Sequence, residues 1–233
     1  MDFQRDFKRY AIYFAPPADA DWARFATGWL GWDMEAGAAV AHPEVAELPQ
    51  PVSEITATPR KYGLHATIKP PFRLAEGTTR AELEAACAAL CATLAPLRMD
   101  GLALARLGRF LALRPVGDTA ALNALAARTV EALDRFRAPA PEAELERRRA
   151  AGLSPAQEEN LTRWGYPYVM DEFRFHITLS GKLGKPALGA VESALDRALT
   201  PLLPAPFRIA DLALMGEDEA GRFHLIHRYT LSG

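Results

Sequence analysis

Gly63-Leu64-His65-Ala66-Thr67-Ile68-Lys69 is the stretch on which the reading of the chain turns, and Arg174-Phe175-His176-Ile177-Thr178-Leu179-Ser180 repeats its pattern. In an extended strand, successive side chains point to opposite faces. Leu64, Ala66 and Ile68 are then directed to a core, while His65 and Thr67 share the other face. In the second stretch Phe175, Ile177 and Leu179 turn inward, and Arg174, His176, Thr178 and Ser180 turn outward. Each strand presents an imidazole beside a hydroxyl. Two such strands face to face gather two imidazoles and two hydroxyls around one small space, a group suited to acid–base chemistry on a phosphate. A single His-x-Thr is uninformative: 5 histidines and 18 serines and threonines in 233 residues give about 0.4 His-x-Thr/Ser matches by chance. Two copies in strand-like settings weigh against the plainer alternative, two strand histidines that only hydrogen-bond.

Length and composition bound the rest. The 233 residues suit one large domain or two small lobes. With 49% hydrophobic and 24% charged residues, the balance is that of a soluble globular protein. A net charge of -2 gives no global basic field, so long nucleic acids are not expected, although a short RNA or nucleotide is compatible. Cys87 and Cys91 lie four apart in an alanine-rich helical stretch and read as small core residues on one face. No apolar run reaches membrane-spanning length. Met1–Asp6 lacks the apolar centre of a signal peptide, so the cytoplasm is the expected location and no membrane contact is expected.

Along the chain, Arg9 to Ala15 reads as a first strand stopped by Pro16-Pro17. A helix follows through Trp22, Phe25 and Trp29, whose spacing marks them as core. Glu35 to Pro59 has no clear period and reads as a long surface loop. The first motif strand is expected to end at Pro70-Pro71. Thr79 with Glu82 is a capping box for a helix over 81–95. Strands 102–107 and 110–115 form a hairpin around Gly108, and Asp118 opens a helix to about Phe136. The polar segment 141–164 is helical at least in part, since Ser154-Pro155-x-Gln157 is a capping signature. Its Glu142–Arg149 run is simplest as a solvated face. A helix from Lys185 to about Leu203 precedes two last strands, 207–215 and 222–231.

The two motifs head parallel successions. His65 is followed by a turn, a helix and a hairpin containing Arg109-Phe110-Leu111; His176 is followed by a turn, a helix and a hairpin containing Arg222-Phe223-His224. The offsets from His to Arg are 109 − 65 = 44 and 222 − 176 = 46. The expected fold is α+β and bilobal: two antiparallel sheets with helices outside, related by a pseudo-two-fold axis that brings the motif strands into a central cleft. The division expected is 1–116 for the first lobe and 117–233 for the second, the latter including the charged segment 141–164, in one compact unit.

With these residues in place, the chain resembles the two-histidine (2H) phosphoesterase superfamily, which has one His-x-Thr/Ser per lobe. More closely it resembles a bacterial branch of uncharacterised proteins associated with phosphonate-utilisation genes. The stretches that carry this are Arg9-Tyr10-Ala11-Ile12-Tyr13-Phe14-Ala15-Pro16, Arg60-Lys61-Tyr62 running into the first motif, Phe136-Arg137-Ala138-Pro139, and Trp164-Gly165-Tyr166-Pro167-Tyr168 with Phe173-Arg174 before the second motif. The resemblance implies hydrolysis or ligation of phosphodiesters, often 2′,3′-cyclic ones, without a metal or other cofactor. The expected partner is a small phosphodiester or cyclic phosphate.

The residues speak for the same chemistry. Opening a cyclic phosphate needs a base on the attacking water and an acid on the leaving alkoxide, and histidine serves both near neutral pH. His65 and His176 take these roles in an order the sequence leaves open, and Thr67 and Thr178 are expected to donate to the non-bridging oxygens. Lys61 and Lys69 share the expected strand face of His65, and Arg174 shares that of His176; Arg174 is the preferred phosphate ligand. Tyr62, Tyr166 and Tyr168 flank the motifs and offer faces for a base or sugar, and Tyr13 is a candidate for the cleft wall. His224 and His227 lack a threonine two residues on and read as structural or exposed, and His42 as an exposed loop residue. The competing readings are a metal hydrolase, for which His-x-Asp and His-x-His pairs are missing, a non-catalytic nucleotide or short-RNA binding module, and RNA 2′-5′ ligation.

Overall fold

Strand β1 (Arg9–Phe14) is buried along nearly its whole length, and its alternation divides between two cores: Tyr10, Ile12 and Phe14 enter a large one, Ala11 and Tyr13 a smaller one. A strand apolar on both faces has to be covered on both. The molecule, a computed structural model describing residues 7–233, is built around that requirement. Met1–Asp6, read above for a leader, lies outside the described residues.

After β1 come α1 (Asp21–Leu30), a small hairpin of β2 (Trp32–Asp33) and β3 (Ala38–Ala39), and α2 (Val52–Ile55). The first motif strand is β4 (Ala66–Phe72), followed by α3 (Arg80–Cys91), β5 (Leu97–Met99), and the hairpin β6 (Gly101–Leu107) and β7 (Phe110–Val116). The second half has α4 (Ala120–Ala132), α5 (Glu142–Arg149), α6 (Pro155–Trp164), the second motif strand β8 (Ile177–Thr178), α7 (Lys185–Leu199), β9 (Phe207–Ile209), and the hairpin β10 (Asp211–Glu217) and β11 (Phe223–Thr230). The expected α+β class holds. Both capping boxes form: Thr79 with Glu82 opens α3 and Ser154 with Gln157 opens α6, each satisfying amide groups that a helix start leaves unpaired. The expected loop 35–59 contains β3 and α2, and the expected strand 207–215 breaks at Ala210, its first part pairing with β5.

Helices α1, α3, α4 and α7 lay their apolar faces on one side of the sheet, contributing Trp29, Leu83, Leu122 and Leu195 among others to the large core. Cys87 and Cys91 sit there as free, buried thiols, pushed up to about 12 and about 11 by burial. Helix α1 ends on Gly31, whose φ of 79° suits glycine, and the half-buried His42 donates its Nδ1–H toward the carbonyls of Gly28 and Trp29, both at 3.1 Å. His42 is therefore a helix-end cap and not a free loop side chain. The fully buried Trp29 donates its indole N–H to the Leu179 carbonyl at 2.8 Å, tying α1 to the second motif.

The sheet has seven strands in the order β11-β10-β1-β4-β8-β7-β6, all the recorded pairs antiparallel. It is two half-sheets joined at one place: β4 and β8 meet through the single pair Ala66↔Ile177. The division of the sheet does not follow the chain at 116/117. Hairpin β6–β7, expected in the first lobe, pairs with β8 of the second motif, and hairpin β10–β11 pairs through β1 with β4 of the first. Each motif strand thus has the other motif's following hairpin in its half-sheet. Strand alternation has the same period whichever partner a strand takes, so it does not reveal this exchange.

One residue departs from its expected face for a definite reason. Tyr13 pairs with Thr67 but Ile12 pairs with Lys69, so β4 carries one extra residue at Ile68, a β-bulge. Ile68 still enters the large core, and the bulge reverses the alternation from Lys69 on. Lys69 therefore turns away from His65 into the helix layer, where it is 2% exposed and its ammonium donates to the Val130 carbonyl at 3.0 Å and to Asp134 at 3.2 Å. A second irregularity, between Ile12↔Lys69 and Tyr10↔Phe72, holds Pro70 and Pro71, and this lets β4 run on to Phe72 although proline donates no ladder hydrogen bond.

Burial pushes the Lys69 ammonium down to about 8, against the pull of Asp134. Between pH 8 and the ordinary lysine range the unfolded chain holds this proton and the folded chain has released it, so folding stability rises with pH there. Denaturant melts of wild type and Lys69→Met at pH 8 and 10.5 are expected to show wild type gaining on the variant by up to about 3 kcal/mol. Parallel pH curves would refute the buried titration.

Candidate active site

The single pair Ala66↔Ile177 sets the register of the two motifs. In an antiparallel pair whose numbers sum to 243, His65 falls opposite Thr178 and Thr67 opposite His176, on the face away from α1, α3, α4 and α7. The central residues Ala66 and Ile177 are fully buried on the helix side, so the four polar side chains have only the opposite face left to them.

Both imidazoles are held the same way. His65 Nδ1 lies 3.0 Å from the Gly63 carbonyl, and His176 Nδ1 lies 2.7 Å from the Arg174 carbonyl, each two residues back. A carbonyl only accepts, so Nδ1 carries the hydrogen in both, and Nε2 is the nitrogen left for chemistry. Gly63 adopts φ 70°, and a side chain there would press on Met34 at 3.1 Å, which accounts for glycine at this point of the first motif. Thr67 Oγ1 is 3.3 Å from His65 Nε2. Tyr13, 1% exposed, stacks on the His65 ring with centroids 3.9 Å apart and planes 25° from parallel, and the Tyr62 ring lies 5.9 Å from it. This surround lowers the His65 pKa to about 4, chiefly by desolvation and further by His176. Burial likewise raises the Tyr13 phenol well above its ordinary range.

These residues open onto a cleft of about 680 Å³ lined by His65, Thr67, Thr178, Tyr13, Tyr62 and Lys61. His176 stands beside it, its ring 6.0 Å from Phe110, which also lines the cleft. The exchanged hairpins give the two motifs matching aromatic neighbours: Phe110 beside His176, and Phe223 beside Tyr13 and Tyr62 at 5.6 and 5.3 Å. This is the Arg-Phe repeat of the sequence, placed crosswise.

Several sequence candidates are elsewhere. Arg174 is exposed and its guanidinium donates to the carbonyls of Asp171 and Phe173, outside the cleft lining. Lys69 is in the helix layer, as described. Tyr168 is 46% exposed and meets Tyr166 edge-on; of those two, Tyr166 lines the cleft. Ser180 is not among these: it lines the cleft as its outer-face position requires, with its hydroxyl held by accepting from Leu111 N–H and donating to the Gly181 carbonyl, each at 2.9 Å. His224 pairs with Asp218 at 2.8 Å, and His227 packs against Tyr229. The cleft also takes cations that the motif faces did not announce: Arg9, Arg147, Arg148 and Lys182. Arg9 is held by Glu217, which raises its pKa. Arg147 and Arg148 come from the charged run of α5, which is thus more than a solvated face. The clustering of positive side chains within Glu142–Arg149 was the available signal.

Among the described residues, no group of three or more His, Cys, Asp or Glu is placed to hold a metal ion, and no helix is long and apolar enough to cross a membrane.

Comparison with known proteins gives relatives at several distances. A protein of Janthinobacterium sp. (strain Marseille) named ribose 1,5-bisphosphate phosphokinase PhnN is 40% identical over 176 residues, which are 75% of this chain and 39% of that protein. A protein of the same name from Laribacter hongkongensis is 36% identical over 214 residues, 91% of this chain and 49% of that one. The chain spans less than half the length of each. Among solved structures, TT0787 of Thermus thermophilus is similar at 15% identity and a TM-score of 0.48, covering 97% of this chain and 98% of that one. E. coli LigT complexed with NADP+ is similar at 14% identity and 0.47, covering 98% and 100%. A family model described as "Protein of unknown function (DUF1045)" matches residues 67–224, from Thr67 through the second motif to His224. On that match, the chain belongs to the DUF1045 family.

Proposed function

We propose that the cleft is a phosphodiesterase site that opens a small cyclic phosphate or phosphodiester, of nucleotide or ribosyl phosphate type, by paired histidine catalysis. The observation that carries the reading is the Ala66↔Ile177 register, which sets each motif's histidine against the other's threonine, both imidazoles having Nε2 left for chemistry. His65, neutral because its surround disfavours the charged ring, takes the proton of the attacking water on Nε2. The water oxygen bonds to phosphorus as the ester oxygen leaves, and His176 Nε2 gives that oxygen its proton. The ring opens to a phosphomonoester, and proton exchange with solvent resets the pair. Thr67 and Thr178 donate to the non-bridging oxygens, where charge grows. Tyr13, stacked on His65, is a positioning residue that holds the base and covers one face of its ring, leaving the Nε2 edge for the attacking water. The residues supply both proton transfers themselves, so none of these steps calls for a metal ion.

The ribosyl alternative gains support from the relatives, whose name places ribose 1,5-bisphosphate among the compounds they act on. A role in phosphonate metabolism follows the same line and the resemblance of the motifs. Ligation between RNA ends uses the reverse of these proton transfers, whereas a binding module would hold the phosphate without turnover.

Phosphorus NMR on 2′,3′-cyclic nucleotides and ribosyl 1,2-cyclic phosphate, with chelator present, is expected to show ring opening by wild type. His65→Ala and His176→Ala should each lose about 10²- to 10⁴-fold. Turnover that survives in either variant, or that chelator abolishes, would sink the two-histidine mechanism; tight binding without turnover would establish the binding module instead. The pH dependence separates the roles. Since His65 must be unprotonated to act as base, kcat/KM should fall only as pH drops through about 4. The His65 ring signals should titrate there too, and move toward the ordinary 6.5 in Tyr13→Ala. An acid limb and an imidazole midpoint both near 6.5 in wild type would remove His65 as the buried base.

A further inference from the structure

The cleft carries more positive charge than a phosphodiester can use. Among the described residues, five cationic side chains line it, Arg9, Lys61, Arg147, Arg148 and Lys182, and no aspartate or glutamate does. The chain as a whole has a net charge of -2, so this is a local concentration against the overall sign. Two of the five are balanced from behind: Arg9 by Glu217, and Arg148 by Glu144 at 2.8 Å. Lys61, Arg147 and Lys182 form no ion pair among the described residues, and Lys61 instead lies over the Tyr62 ring at 4.8 Å. Arg148 is only partly satisfied. Its guanidinium covers the Tyr166 ring at 4.7 Å, yet its Nε is buried with no hydrogen-bond partner. A buried charged donor left unpaired is costly.

A phosphodiester brings one negative charge, and the histidine–threonine group supplies its donors. A phosphomonoester brings close to two charges and three acceptor oxygens. One of the arginines that would meet it is fixed in place. Arg148 is clamped between Glu144 and Tyr166, while the neighbouring Arg149, outside the cleft lining, makes only exposed pairs, with Glu142 at 3.0 Å and Glu158 at 2.9 Å.

We infer that the basic rim of Arg147 and Arg148, with Lys61 and Lys182, is a second anion subsite. It takes a phosphomonoester group carried by the same substrate whose diester lies at His65 and His176. The inference rests on the phosphodiesterase reading of the cleft and narrows its substrates to those bearing a further terminal phosphate. The diester is then the bond acted upon, and the terminal phosphate is a handle that orients it and adds affinity.

Binding and turnover test the two readings separately. By calorimetry, wild type should prefer ribose 1,5-bisphosphate over ribose 1-phosphate, or 5′-phosphorylated 2′,3′-cyclic AMP over 2′,3′-cyclic AMP, by at least about tenfold, the preference shrinking with salt. Arg147→Gln/Arg148→Gln should abolish the preference while binding the singly phosphorylated probe within about threefold of wild type, its fold checked by circular dichroism. Lys182→Gln, in a loop, should reduce the preference without relying on the integrity of α5. Arg149→Gln, which removes the same charge from the same helix outside the cleft, should retain it. No preference in either probe pair, a preference that survives the double substitution, or an equal loss in Arg149→Gln would each overturn the subsite. A preference with the expected variant pattern but no turnover of any phosphodiester would uphold the subsite and defeat the catalytic reading; turnover without the preference would do the reverse.

Discussion

The architecture depends on one short junction, where Ala66 of β4 meets Ile177 of β8. Each half-sheet has its own hairpin and its own covering helices, and the junction alone joins them in a continuous ladder. A single pair of small and branched apolar residues is a weak weld by hydrogen bonding, each bond contributing about 1 kcal/mol net. What secures it is burial: Ala66 and Ile177 are fully enclosed in the large core, and Trp29 of α1 bonds the Leu179 carbonyl just beyond. A slip of either strand by one residue would turn its own histidine into the helix layer, so the register that buries the core is the one that assembles the site.

The two sides of the sheet pose opposite electrostatic problems. On the helix side Lys69 is pulled into the interior and is tolerated because Asp134 and the Val130 carbonyl receive it, while Arg137 holds Asp134 from the other direction. On the cleft side the positive groups stand against a partly open space, and His65 is kept neutral by its aromatic surround. A neutral imidazole among cations is the arrangement that a base needs when its substrate is an anion. In the proposed mechanism the cations draw the phosphate in, and desolvation keeps the ring from being protonated beforehand.

Much of this was open to reading from local pattern. Leu64, Ala66, Phe175, Ile177 and Leu179 fell inward as their alternation required, the two capping boxes formed where Thr79 and Ser154 announced them, and the hairpin around Gly108 closed as expected. The misses have local causes too. Alternation alone puts Lys69 beside His65, and the bulge at Ile68 changes the parity. Arg174 had the right face on paper, but its long side chain folds back on the carbonyls of Asp171 and Phe173. Arg147 and Arg148 looked like solvent-facing members of a charged helix, because nothing in a Glu/Arg run says which side of it another part of the chain will approach.

The two His-x-Thr faces, the α+β class and the succession of elements were legible in the chain of residues alone, since they follow from side-chain alternation, capping chemistry and turn residues within a few positions of one another. Folding in three dimensions was needed to send the hairpins across to the opposite motif, to set His65 stacked and desolvated under Tyr13, and to bring the arginines of α5 to the cleft. Those outcomes depend on which distant surfaces meet, and the free energy of that meeting belongs to pairs of segments that no local pattern records.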